Sequence, residues 1–167
     1  MKIPVHILPL WNIKDYHTLN YNKAYHRDIE LNERFITAGH HRDSMIINHY
    51  FEPNPMPDSI EYIKNQFSGI ENIAVAVNLF TPGTYLPMHN DLYGRYRNLH
   101  GQDRKVFRAI IMLEDSYPGQ ILQIEDQAHA SWTAGAVFYW YDDVMHAFYN
   151  MSLQNRYAIQ LTGMVND

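Results

Sequence analysis

The sequence predicts a mainly β protein, an all-β sandwich or barrel with a helix and the N-terminal segment packed outside it. Three observations predict this. From residue 71 onward, short runs with period-two apolar alternation recur, each closed by a turn signal. Aromatic residues make up 14% of the chain, with thirteen Tyr and seven Phe, and such side chains fit pleated sheets. Hydrophobic residues reach 46% against 19% charged, a balance that supports a packed core.

The elements follow in order. Residues 1–70 are mixed: a strand is expected at Ile3–Leu8 and another at Ser44–Phe51, and "PNPMPD" then breaks the chain. The stretch "DSIEYIKNQFSG" reads as a supporting helix. Asp58 and Glu61 have capping-box spacing, Ile60, Ile63 and Phe67 share a face, and Gly69 suits the C′ position. Residues 71–163 are the β core. "NIAVAVNLF" alternates Ile73, Val75, Val77 and Leu79 against Ala74, Ala76, Asn78 and Phe80, and "TPG" ends it. "YLPMHND" is the next strand or strand end, and "LYGRYRNLHGQDR" is a polar loop over residues 92–104. "KVFRAIIMLE", "QILQIED" and "AVFYWY" are strands, with "HASWTAG" as a connection before the last of these. "VMHAFY", the turn "NMSLQN" and "RYAIQLTG" are expected to close the chain as a hairpin. A length of 167 residues fits a single domain.

Composition narrows function. A net charge of −5 gives no general attraction to nucleic acid or to an anionic membrane surface. No apolar run approaches the roughly 20 residues of a membrane span. The first residues make a poor secretory signal, so the cytoplasm is the expected compartment. The absence of cysteine removes disulfides, thiolate catalysis and Cys-ligated metals. Ten histidines leave imidazole as the leading group for metal binding and acid–base chemistry.

His89 and Asp91 are the first candidates. Residues two apart on a strand face the same way, which sets an imidazole beside a carboxylate. A two-His, one-carboxylate iron site needs one more imidazole and keeps positions open for other ligands. His146 is the best candidate to complete it, and Arg156 follows ten residues later, placed by the expected hairpin on a strand beside or near His146. A guanidinium in a barrel mouth implies a carboxylate partner, which it can grip as a bidentate fork. The alternative is a polar cluster satisfied by hydrogen bonds inside a β-sandwich. Two further HxD triplets, His26–Asp28 and His41–Asp43, lie in polar, non-periodic sequence and read as solvated loop residues.

The order HxD, distal His and then Arg resembles the Fe(II)- and 2-oxoglutarate-dependent oxygenases, over roughly residues 71–163. The passage "GQILQIEDQAHASWTAGAVFYWYDDVMHAFYN" is also similar to that family's approach to its distal His. The "WTAG" at 132–135 and the in-strand Arg108 resemble the aspartyl/asparaginyl β-hydroxylase-like branch, and small prolyl-hydroxylase-like proteins are similar in size. The resemblance implies a double-stranded β-helix, or jelly-roll, of cupin-like form with one or two flanking helices. It implies Fe(II) on His89, Asp91 and His146, with Arg156 on the distal carboxylate of 2-oxoglutarate. The implied reaction consumes O2, releases succinate and CO2, and hydroxylates an unactivated C–H bond of a peptidyl residue or an amino-acid-like molecule. Retention of Asp91 favours hydroxylation over halogenation.

Other residues have two readings. Arg108 shares a face with Val106, Ile110 and Met112, so it either enters the mouth to meet the co-substrate or substrate, or ends its strand with the head in water. Asn78 and Tyr85 are candidate hydrogen-bond partners for the co-substrate, or packing residues. Loop 92–104, with Tyr93, Arg95, Tyr96, Arg97, His100 and Arg104, is either a basic, aromatic lid or an ordinary solvated loop. "VFYWYDD" reads as core. Two rivals remain: a cupin metalloenzyme that does not use 2-oxoglutarate, and a non-catalytic β-sandwich binding module.

Overall fold

A computed structural model describes residues 2–25 and 28–166. Among these residues, ten antiparallel strands form two sheets. The larger is ordered β1 (Asn22–Tyr25), β2 (Ile46–Phe51), β3 (Ile70–Phe80), β10 (Arg156–Val165), β5 (Val106–Met112) and β8 (Val137–Tyr141). The smaller is ordered β4 (Thr84–His89), β9 (His146–Asn150), β6 (Gln120–Ile124) and β7 (Gln127–His129). Among the described residues there are four short helices: α1 (Ile13–His17), α2 (Ile29–Thr37), α3 (Ser59–Lys64) and α4 (Gly94–His100).

The large sheet is covered on both faces, which explains why β5 is buried at every position. One face carries Phe107, Ala109, Ile111, Tyr157, Ile159 and Leu161, packed under Tyr16 of α1, Ile60 and Ile63 of α3, and Phe67. The other carries Phe80, Ile110, Met112, Trp140 and Ala158, facing Leu86, Leu122 and Phe148 of the small sheet. The candidate site lies in this second layer, between the sheets.

Several expected elements differ. Ile3–Leu8 is not a strand: it makes only an isolated bridge at His6 to Ala136, since Ile7 and Gly135 supply just a local pairing. The helix of 58–69 ends at Lys64, and Asp58 makes no side-chain cap because its own backbone is already helical rather than extended. Gly69, at φ +80°, turns the chain into β3 instead of capping α3. Residues 92–104 contain α4. The expected hairpin of β9 with β10 does not form, because the two strands belong to different sheets. Asn150 makes the corner: its Nδ2 donates to the carbonyls of Phe80 and Gln154, each at 2.8 Å, which ties the chain across the layer.

Candidate metal centre

β4 and β9 are neighbours, and their register sets His89 opposite His146, with ring centroids 4.4 Å apart. A bulge between Leu86 and His89 aims both residues into the inter-sheet layer, although they are three apart. Each imidazole is oriented from behind. Nδ1 of His89 donates to the Pro87 carbonyl at 2.6 Å, and Nδ1 of His146 donates to the Val144 carbonyl at 2.9 Å. In a neutral ring that tautomer leaves Nε2 as a lone-pair donor, the form a metal takes.

Asp91 lies two residues past the end of β4, so pleating does not hold it there. Arg108 does. Its Nη2 donates to Asp91 Oδ2 at 2.8 Å, and its Nη1 donates to Thr162 Oγ1 at 2.5 Å. Arg108 is only 5% exposed, so the alternative with its head in water is corrected: an ion pair with Asp91 holds it inside. Burial alone would raise the Asp91 carboxyl, but Arg108, with His146 and His89, holds it below the usual carboxylate range. For His146, burial and then the neighbouring His89 push the pKa down to about 4, against the pull of Asp91. That imidazole is neutral at pH 7.

His146 Nε2 lies 3.7 Å from Asp91 Oδ2, and one donor atom from each of His89, Asp91 and His146 falls within 4.8 Å of the others. Donors sharing an ion at about 2.1 Å lie ~3–4 Å apart, so the spacing is close to that of a common ligand set. Two neutral imidazoles and one ionised carboxylate fit a divalent transition metal with open positions. The three side chains can hold a metal ion.

Arg156 starts β10 on the same inner layer and is 3% exposed. Among the described residues it has no carboxylate partner. Its guanidinium carbon stands 4.2 Å from the ring centre of Phe148, 5.2 Å from Phe80 and 5.3 Å from Trp132. Nη1 makes one long bond, 3.4 Å, to the Ile121 carbonyl, while Nε and Nη2 are buried without hydrogen-bond partners. Burial with no compensating anion pushes its pKa down to about 9. Phe148 bridges the two groups: it lies two residues beyond His146 on β9, with the rings 6.3 Å apart, and under Arg156.

The remaining candidates are placed elsewhere or already engaged. Asn78 faces the layer, but Oδ1 accepts from His49 Nδ1 at 2.8 Å and Nδ2 donates to Gln160 at 3.1 Å. Tyr85 does not face the cluster, which corrects its expected place beside the co-substrate. The bulge reverses the parity of β4, so its ring packs on Phe35, His40 and Tyr149, and its hydroxyl bonds His40 at 2.7 Å. In loop 92–104, Arg97 is paired with Asp142 and Arg104 with Glu71, so these two charges are spent on anchoring the segment. Of the two further triplets, His41–Asp43 forms an exposed turn in which Asp43 accepts from Tyr25, and His26 lies outside the described residues. Sequence reasoning missed Thr162 and Trp140, and it placed Tyr93 in a lid or solvated loop, whereas that residue is buried. Trp140 pairs with Arg108 across β8 and β5 and packs 4.5 Å from the His146 ring, but in sequence it is one aromatic among several.

Two facing antiparallel sheets with this site between them match known architectures. No family model matches the sequence, and no curated protein matches it. Among solved structures the chain is similar to a prolyl-4-hydroxylase from Pseudomonas putida (TM-score 0.53, 13% identity, covering 93% of this chain and 97% of that one). The fold is a cupin-like jelly-roll. It is also similar to a protein of Acidithiobacillus ferrooxidans provisionally named a sugar phosphate isomerase (TM-score 0.50, 8% identity, covering 93% and 74%). A further match, the cupin domain of Schizosaccharomyces pombe Cnp3, has a TM-score of 0.44 at 8% identity over 71% of this chain and 64% of that one. At such identities the likeness speaks for the jelly-roll alone. No helix among the described residues is long and apolar enough to cross a membrane.

Proposed function

We propose that this jelly-roll protein is an Fe(II)- and 2-oxoglutarate-dependent oxygenase that hydroxylates an unactivated C–H bond of a peptidyl residue or amino-acid-like substrate. The observation that carries this reading is Arg156. A buried guanidinium with two unpartnered nitrogens, below a cluster able to hold a metal, calls for an anion that the described residues do not supply. A diacid with one carboxylate on Arg156 and the other toward the metal satisfies both ends.

The charges agree. Asp91 cancels Arg108, which leaves Arg156 as an uncompensated positive charge that a divalent metal increases further. A dianionic co-substrate offsets this excess. When bound by His89, Asp91 and His146, ferrous ion supplies the redox chemistry that couples decarboxylation of 2-oxoglutarate by O2 to substrate hydroxylation, with succinate and CO2 released. The chain's own residues do the rest. Arg156 binds and orients the distal carboxylate, and Phe80, Trp132 and Phe148 exclude water around it. The Pro87 and Val144 carbonyls fix both imidazoles, and Arg108 keeps Asp91 ionised and in place.

Anaerobic titration of the apoprotein with Fe(II) and 2-oxoglutarate tests this. A visible charge-transfer band is expected only when both are present, and succinate on admission of air with a substrate. Metal binding with no band and no succinate would favour a cupin metalloenzyme that does not use 2-oxoglutarate. No metal binding at all would favour a non-catalytic module.

A further inference from the structure

The large sheet has six strands and the small one four, and part of the larger inner face is left uncovered. Phe51 of β2 and Gln160 of β10 are both register partners of Ala76, and Gln160 is also the partner of Ile110 in the inter-sheet core. These side chains therefore point toward the layer that holds the metal cluster. Yet Phe51 is 42% exposed and Gln160 is half-buried, with Ala76 buried between them. In the adjoining row Ala74 is exposed beside its partner Thr162. The open stripe runs up to the cluster. Thr162, two residues beyond Gln160, accepts from Arg108, and Arg108 grips Asp91.

Gln160 is held in one orientation. Its Oε1 accepts from Asn78 Nδ2 at 3.1 Å, and Asn78 Oδ1 accepts in turn from His49 Nδ1 at 2.8 Å. That leaves Gln160 Nε2 as a donor with no partner among the described residues. The His49 ring lies 4.9 Å from the Phe51 ring, so an aromatic shelf adjoins the amide. We propose that this stripe seats the primary substrate, with Gln160 Nε2 donating to a backbone carbonyl of a peptide and Phe51 packing against one of its side chains. This rests on the oxygenase reading and decides, within it, for a peptidyl residue over a free amino acid. Charge makes the choice. His49, Phe51, Ala74, Asn78 and Gln160 include no lysine, arginine or carboxylate, and Arg108 is committed to Asp91. A free amino acid would bring an ammonium and a carboxylate to groups that offset neither. A peptide is uncharged at the same point and offers the acceptor that Gln160 lacks.

The test follows the Gln160 side-chain NH2 pair by NMR in 15N-labelled protein loaded with Zn(II), so it does not depend on turnover. That pair is identified by its loss in Gln160→Met. The probe is a pool of blocked tripeptides, N-acetyl-Ala-X-Ala-N-methylamide with X each neutral amino acid, compared with a pool of the same X as free amino acids. The blocked pool is expected to move the Gln160 pair in a saturable way, and the free amino acids to bind at least about tenfold more weakly. Phe51→Ala should weaken the blocked pool by at least about threefold without releasing Zn(II). Equal affinity for the two pools, or a Gln160 pair unmoved by the blocked pool while Zn(II) remains bound, overturns the proposal. A larger movement with 2-oxoglutarate alone also overturns it, because Gln160 would then serve the co-substrate. Failure of the oxygenase reading would show separately, as a missing charge-transfer band with Fe(II) and 2-oxoglutarate.

Discussion

His89 and His146 stand directly opposite each other on adjacent antiparallel strands, although 57 residues separate them in sequence. Each ring is pinned through Nδ1 to a carbonyl two residues earlier, so both present Nε2 to the same space. His146→Ala removes one of three candidate donors and leaves a small cavity beside Trp140. Metal affinity is expected to fall by more than about 100-fold, with metal-dependent turnover abolished, because two remaining donors cannot form the set. Isothermal titration with Fe(II) under anaerobic conditions reads this directly. Retention of wild-type affinity would remove His146 from the ligand set.

Arg156 is expected to reduce the stability of the ligand-free protein. A buried charge with no counter-ion is a standing cost, and aromatic rings at 4.2–5.3 Å offset only part of it. Arg156→Met should therefore stabilise the apoprotein by about 1–4 kcal/mol, while lowering 2-oxoglutarate affinity by at least about 30-fold. Arg156→Lys keeps the charge but loses the fork, and should retain weak binding. Thermal melts with and without 2-oxoglutarate separate the two effects. A Met variant less stable than wild type would mean that Arg156 has a structural partner.

How much of this was legible depended on whether local pattern or tertiary packing made the decision. The β core could be read because β3 and β5 carry their burial in their own sequence, down to the face shared by Arg108 and Ile110. α4 was not legible: "GRYRNLH" lacks an apolar stripe and is held by Arg97 to Asp142 and by Tyr96 to the Asn72 carbonyl, contacts made at long range. The closing pair of strands was misread because six residues suit a hairpin loop, and nothing in "NMSLQN" shows that Asn150 bonds across to Phe80. The parity of β4 was hidden by its bulge, so Tyr85 and His89 share a face in sequence but not in the fold. The cluster was legible because metal ligation depends on side-chain chemistry, whereas Trp140 and Tyr93 use groups that most buried aromatics also carry.

The N-terminal segment is attached at a point that tolerates no side chain. Gly135 has φ +90°, its N–H donates to the Met112 carbonyl at 2.8 Å, and a Cβ there would lie 2.0 Å from the Ile7 carbonyl oxygen. That oxygen belongs to backbone that is itself fixed by Ile7 N–H donating to the Gly135 carbonyl at 2.8 Å. Gly135→Ala should cost about 2–4 kcal/mol through strain and displacement of residues 5–7, measured by chemical denaturation. Fe(II) affinity should be nearly unchanged, since Gly135 touches none of the three candidate ligands.

The pKa of His146 sets an acid limit on the apoprotein. Burial, with His89 beside it, lowers the value to about 4, against about 6.5 in an unfolded chain. Above pH 6.5 the ring is neutral in both states and adds no pH dependence. Between pH 6.5 and 4 the unfolded chain takes up a proton that the folded protein refuses, so stability falls as pH falls, by on the order of 3 kcal/mol in total. Below pH 4 both states are protonated and the slope from this group ends. Melting temperature between pH 7 and 4 should therefore decline more steeply for the wild type than for His146→Phe, which has nothing to titrate there. A divalent metal that holds the ring neutral should raise the melting temperature most near neutral pH, and its stabilisation should shrink as protons compete for the unbound imidazoles. Parallel slopes for the two proteins would mean that His146 takes its proton while folded, as an exposed imidazole does.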